Sequence, residues 1–221
     1  MSFSESDKTK ILRLKSSIAS YYNLQMKKIG DKHLESFLFN HGVISGGMIC
    51  SLFHDEAVAD IDVYAKDNVG LIAIKDYILS KDKNIKSTEA YEIDSEGNKK
   101  FKDGSAQKWV TTNAVTLTND VQFIYMDTWQ NAQSKFDFVH CMPYYDIGTQ
   151  KLYISESQYL AIKTKTLILT GKSQASDKRI QKYMKRGWTL QNPASTTSQW
   201  NGVIAQEVSK MFPDLYINIP T

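Results

Sequence analysis

Residues 43–64 read VISGGMICSLFHDEAVADIDVY, and the reading of this stretch decides the fold. Val43-Ile44-Ser45 is a short run suited to a buried strand. It ends at Gly46-Gly47, and the residues from Gly46 to about Phe53 have a helical composition. Asp60-Ile61-Asp62-Val63 then alternates acid and apolar, which is the period of a strand. On a strand, Asp60 and Asp62 share one face with their Cβ atoms about 6.5–7 Å apart, while Ile61 and Val63 fill the opposite face. Two carboxylates held this way can bind a hard divalent cation. Mg²⁺ (or Mn²⁺) takes one or two carboxylates and completes its shell with phosphate oxygens and water. The glycines lack side chains, so a phosphate can approach the backbone. The N–H groups and the dipole of the helix that follows favour an anion there. Strand, Gly-Gly, helix and Asp-x-Asp strand therefore make one unit, a phosphate seat beside a metal seat.

Outward from this unit, the chain mixes helices and strands without a strict alternation, which predicts an α+β fold with no internal repeat. Ile11, Leu14, Ile18, Tyr22 and Met26 recur at helical spacing within residues 5–29, and a second helix follows over 32–40. Residues 71–79 read as a helix. The polar stretch 94–107 reads as a loop or hairpin tip. Val110–Leu117 and Val121–Met126 are rich in Val, Thr, Ile and Phe, with Asn119-Asp120 between them as a tight turn, so they predict an antiparallel hairpin. A short helix is expected near 128–135, a strand at 152–154, and helices at 156–169, 177–186 and 203–212.

The chain has 221 residues, 42% of them hydrophobic, enough for a substantial core. A formal net charge of +3 is too small to mark a nucleic-acid binder by itself. No apolar run is long enough to span a bilayer, and MSFSESDKTK has no signal-peptide core. Cys50 and Cys141 stand alone, without the spacing of a zinc site or a disulfide framework. These features predict a cytoplasmic chain with free thiols and no membrane partner.

The stretch Gly46, Gly47, twelve intervening residues, Asp60-Ile61-Asp62-Val63 resembles the signature of the DNA polymerase β-like nucleotidyltransferase superfamily. Ser45 departs from it, standing where an apolar residue is usual. The resemblance implies a palm, a small mixed or antiparallel sheet flanked by helices, over residues 1–150. Residues 151–221 would form a helical region and tail packed on it. It implies transfer of a nucleoside monophosphate from an NTP to a hydroxyl, with Mg²⁺ held by Asp60 and Asp62. Ser45, Gly46 and Gly47 would seat the phosphates, and the acceptor could be RNA or a protein. A region after the palm often offers basic and aromatic groups to the nucleotide. Lys163, Lys178 and Arg179 are the candidate phosphate contacts here, with Tyr183 or Trp188 to stack on a base. The segment FDFVHCMPYYD, 136–146, more loosely resembles nucleotidyltransferase-like proteins of phages and large DNA viruses.

The same family uses a third acid on the neighbouring strand, and here the pattern puts Gln122 in that place. A glutamine takes no proton and is a poor ligand for Mg²⁺. Three readings are open. Asp120 serves after a local bulge; Asp127 or Asp137 serves instead; or the protein does without the third acid, its activity altered or lost, in the last case as a nucleotide-, RNA- or protein-binding module of this fold.

Overall fold

The computed structural model describes residues 3–82, 91–93, 99–101, 107–110, 114–117, 120–170, 175 and 177–191. Helix α1 spans Glu5–Ile29. The Ser4 side chain accepts from the Asp7 amide at its start, and Gly30, at φ +70°, ends it in the left-handed region. Ile11, Leu14, Ile18, Tyr22 and Met26 form the buried stripe that their spacing predicts. Helix α2, Lys32–His41, is capped by Asp31. Next come β1 (Gly42–Ser45), α3 (Gly47–Phe53), β2 (Ile61–Ala65) and α4 (Asn68–Asp82). Strands β3 (Tyr91–Ile93), β4 (Lys99–Phe101), β5 (Gln107–Val110), β6 (Ala114–Leu117) and β7 (Val121–Thr128) follow. After them lie α5 (Trp129–Gln133), a 3-10 turn at Val139–Cys141, β8 (Tyr144–Asp146) and β9 (Lys151–Tyr153). The last described elements are α6 (Glu156–Lys163), β10 (Thr166–Leu167), α7 (Asp177–Met184) and β11 (Thr189–Leu190).

Among the described residues, nine strands form one sheet in the order β3-β4-β5-β6-β7-β2-β1-β8-β9. The sheet is mixed. β2 pairs parallel with β7 and antiparallel with β1, and β1 pairs antiparallel with β8. The architecture is thus α+β, a mixed sheet flanked by helices. Strand β1, third from the β9 edge, is paired on both sides and buried along its length. That burial accounts for Ser45. Its hydroxyl lies 2.7 Å from the Pro143 carbonyl and 3.0 Å from the Cys141 carbonyl, so a polar side chain is satisfied inside the core.

Several elements differ from the sequence reading. Val110–Leu117 is not one strand: β5 and β6 pair antiparallel, so the chain reverses between them. Alternating composition looks the same on both sides of a reversal. The helix expected over 156–169 stops at Lys163, because Lys165 takes a left-handed φ of +51° and Thr166-Leu167 pairs with β11 as a strand. Strand β8, not anticipated, docks on β1 and carries the sheet through β9 to Tyr153, so the boundary drawn at residue 150 falls inside this hairpin. The helix expected at 203–212 and most of the 94–107 loop lie outside the described residues.

A buried aromatic cluster closes the core beneath α7. His140 is fully buried against Phe138, Tyr183 and Trp188, its ring 4.2 Å from that of Trp188 between centroids. Neither ring nitrogen meets a hydrogen-bond partner among the described residues, and burial pushes its pKa down to about 3, with Arg179 and Arg186 adding to the effect. The imidazole is therefore neutral in the folded chain at neutral pH. An unfolded chain takes up that proton at about pH 6.5, so the folded state loses stability as the pH falls from there toward 3. His140→Phe should remove this component. Chemical denaturation from pH 7 to 4 is expected to show a smaller drop in stability for the variant than for the parent.

Candidate active site

A cavity of about 520 Å³ opens on the face of the sheet that carries Asp62. Its floor is two strand rows, Asp62 and Tyr64 from β2 and Gln122, Ile124 and Met126 from β7. Alternation along each strand puts these side chains on one face. Asp60 lies just ahead of β2 and lines the same cavity. The register is direct: Asp62 stands opposite Ser45 on β1 and opposite Gln122 on β7. Past Tyr64 the β2–β7 pairing shifts, Tyr64 meeting Ile124 but Ala65 meeting Thr128. This irregularity re-aims the end of β7, where Asp127 lines the cavity beside Met126.

Gly46 links the glycine pair to the acids. Its backbone sits at φ +88°, ψ −154°, a region open to glycine almost alone. A Cβ there would collide with Asp62 Oδ2. The backbone after β1 therefore abuts the carboxylate. Gly47 differs: a Cβ would meet only the Tyr183 hydroxyl, at 3.8 Å.

The roof comes from α7. Tyr183 is buried in the aromatic cluster, its hydroxyl 3.4 Å from Cys141 Sγ. Arg179 and Lys182, one helical turn back and one residue back, line the cavity. Arg179 Nη1 donates to the buried Asp137 at 2.7 Å, which fastens the helix to the segment after α5. Burial pushes the Asp62 carboxyl up to about 7; Asp60 adds to the shift, and Arg179 and Lys182 oppose it. The two carboxylates thus repel each other, and the cations of α7 offset only part of the cost.

The cavity brings together Gly46, Gly47, Asp60, Asp62, Gln122 and Arg179 from the sequence candidates. Four others lie elsewhere. The Ser45 hydroxyl is committed to core carbonyls. Asp120 sits in the turn before β7 at φ +63°, where its carbonyl accepts from the Ile61 amide. Lys163 donates to Asp7 at 2.8 Å, on the α1–α6 side. Lys178 is on the exposed face of α7. Asp127 and Asp137 do line the cavity, each paired with a cation, Lys135 and Arg179 respectively. Sequence reasoning did not assign Tyr64 or Lys182 to the site, although each stands at a same-face spacing from a residue it did assign. Among the described residues no three His, Cys, Asp or Glu side chains gather as a metal set. The donor chemistry of Asp60 and Asp62 nonetheless fits Mg²⁺ arriving with a nucleotide, since phosphate and water supply the remaining ligands.

The fold and site define an α+β domain with paired carboxylates and a glycine turn at one cavity. A family model described as Gabija anti-defense 2 matches residues 16–165, and the chain belongs to that family. No curated protein matches its sequence. Solved structures similar to it include CCA-adding enzymes and a tRNA nucleotidyltransferase. The Thermotoga maritima CCA-adding enzyme complexed with tRNA is 11% identical, over 72% of this chain and 37% of that one, with a TM-score of 0.45. A tRNA nucleotidyltransferase with a primer tRNA and an incoming ATP analog is 13% identical, over 69% and 44%, at 0.41. An apo CCA-adding enzyme is 12% identical, over 82% and 42%, at 0.44. The chain spans about two fifths of the length of these structures, and at such scores the likeness carries no argument about activity. No helix among the described residues is long and apolar enough to cross a membrane.

Proposed function

We propose that the chain is a nucleotidyltransferase of the DNA polymerase β-like type, moving a nucleoside monophosphate from an NTP to an acceptor oxygen. The supporting observation is the abutment of Gly46 on Asp62 in a cavity that also holds Asp60 and Gln122. In this reading Asp60 and Asp62 hold Mg²⁺ or Mn²⁺, which would neutralise phosphate charge and polarise phosphorus. The Gly46-Gly47 backbone seats the phosphates, and Arg179 and Lys182 approach them from the roof. Catalysis is then mostly positioning and charge stabilisation. The family's description adds a purpose, opposition to Gabija, that this activity or binding would serve.

A second reading has one observation of its own. Gln122 occupies the place in register with Asp62 where an acid would be expected, which favours a domain that binds a nucleotide, RNA or a protein without transfer. The test is incubation with each α-labelled NTP, Mg²⁺ or Mn²⁺, and cell extract. Label on an acceptor supports the transferase. NTP binding by calorimetry with no label and no pyrophosphate released supports the binding module.

A further inference from the structure

Gln122 faces the cavity in register with Asp62, and its amide Nε2 donates to Thr116 Oγ1 at 2.8 Å. Thr116 is buried on β6, so the amide is anchored to the sheet rather than loose in the cavity. One N–H is used in this way. The second N–H and Oε1 meet no protein partner among the described residues. Lys182 lines the same cavity; among the described residues it forms no close ion pair and acts on Asp62 only through its field. The group beside Asp62 is therefore a neutral hydrogen-bond donor in a cavity that also holds a cation in no close ion pair. A carboxylate in that place would repel an incoming anion; an amide N–H attracts one.

We infer that the acceptor is an oxygen already anionic at neutral pH, the terminal oxygen of a phosphate monoester, held by Gln122 and Lys182. This rests on the transferase reading above. A neutral hydroxyl must shed a proton as it attacks, and a base at hand is typically worth about 10²–10⁴ in rate. The position in register with Asp62 offers none. A phosphate monoester loses its second proton at about pH 6 and needs no base. Its oxygen attacks the α-phosphorus of the NTP and forms a new P–O–P bridge. The bond from the α-phosphorus to the α–β bridging oxygen breaks, and pyrophosphate leaves with the electron pair. No proton is transferred, and the product is a nucleoside joined to the acceptor through a diphosphate. The phosphate monoester can belong to a small sugar phosphate or to the 5′ end of a nucleic acid.

The test uses the full chain, α-labelled NTPs and Mg²⁺ with matched acceptors: ribose 5-phosphate against ribose, and a 5′-phosphorylated oligonucleotide against its 5′-hydroxyl form. Label is expected on the phosphorylated member only, resistant to alkaline phosphatase and released by nucleotide pyrophosphatase; the pair that is labelled identifies the source. The rate should be nearly flat from pH 7 to 9. Gln122→Asp should slow transfer at least tenfold at saturating NTP and limiting acceptor through like-charge repulsion, and Gln122→Ala less, with the loss seen as a higher KM for the phosphorylated acceptor. Equal label on both members, or a rate that climbs with pH and rises in Gln122→Asp, overturns the inference and leaves the transferase reading standing. No label on any acceptor overturns the inference, and NTP binding measured in parallel then decides whether the cavity is a nucleotide site at all.

Discussion

Replacing Asp60 and Asp62 together by alanine is expected to abolish Mg²⁺-dependent NTP binding while leaving the chain folded. Both acids face one cavity, and neither side chain forms an ion pair among the described residues. Their loss relieves a strain rather than creating one. The Asp62 carboxyl titrates at about 7 in the folded chain, mainly because burial disfavours its charge, and Asp60 pushes in the same direction. Its contribution to stability is complete below an unfolded-chain pKa of about 4 and is lost as the pH rises through 7. The double variant should therefore gain on the parent by roughly 1–3 kcal/mol at pH 8 and much less at pH 4. Calorimetry with Mg²⁺ and NTP, and thermal unfolding at both pH values, read the two effects separately. Unchanged NTP affinity in the double variant would sink the metal assignment.

The second large effect belongs to Gly46. Gly46→Ala puts a side chain into a backbone region that costs a non-glycine residue about 1–3 kcal/mol, and its Cβ collides with Asp62 Oδ2. Either the carboxylate swings away or the β1–α3 turn opens. In both cases NTP affinity should fall more than tenfold, about 1.4 kcal/mol or beyond, along with a lower melting temperature. Gly47 is the control within the same turn. Its Cβ position is open apart from the Tyr183 hydroxyl, so Gly47→Ala should fold like the parent. Gly47→Val should then weaken NTP binding by filling the cavity, not by unfolding it. If Gly47→Val loses stability and keeps its affinity, Gly47 is a packing residue and the phosphate seat is wrongly placed.

The sequence made the floor of the candidate cavity legible and left most of its roof obscure. Gly46, Asp60 and Asp62 sit within seventeen residues, and the helical and strand periods between them place each one. Gln122 followed from the alternation in Val121–Tyr125, and the register with Asp62 agrees. Ser45 was misleading because a hydroxyl beside two glycines suits a phosphate seat as well as it suits a core carbonyl. Only the position of Pro143, nearly a hundred residues on, decides where it points. Lys163, Lys178, Arg179 and Lys182 look alike as a run of bases. Tyr183 in the core selects Arg179 and Lys182 for the cavity and turns Lys178 outward, while Asp7 draws Lys163 to another surface. Strand β8 was hidden because Tyr144–Asp146 is too short to show a period.

The strand order also sets a distance across the sheet. β3 is the outer edge of the sheet and β2 lies five strands inward, so at about 4.8 Å per strand the edge is roughly 24 Å from the carboxylates. Both native thiols, Cys50 and Cys141, are buried and resist ionisation. They would compete little with a cysteine introduced on β3 for a maleimide dye. Such a probe would ride too far from the cavity to touch a nucleotide, yet within energy-transfer range of a fluorescent NTP bound there.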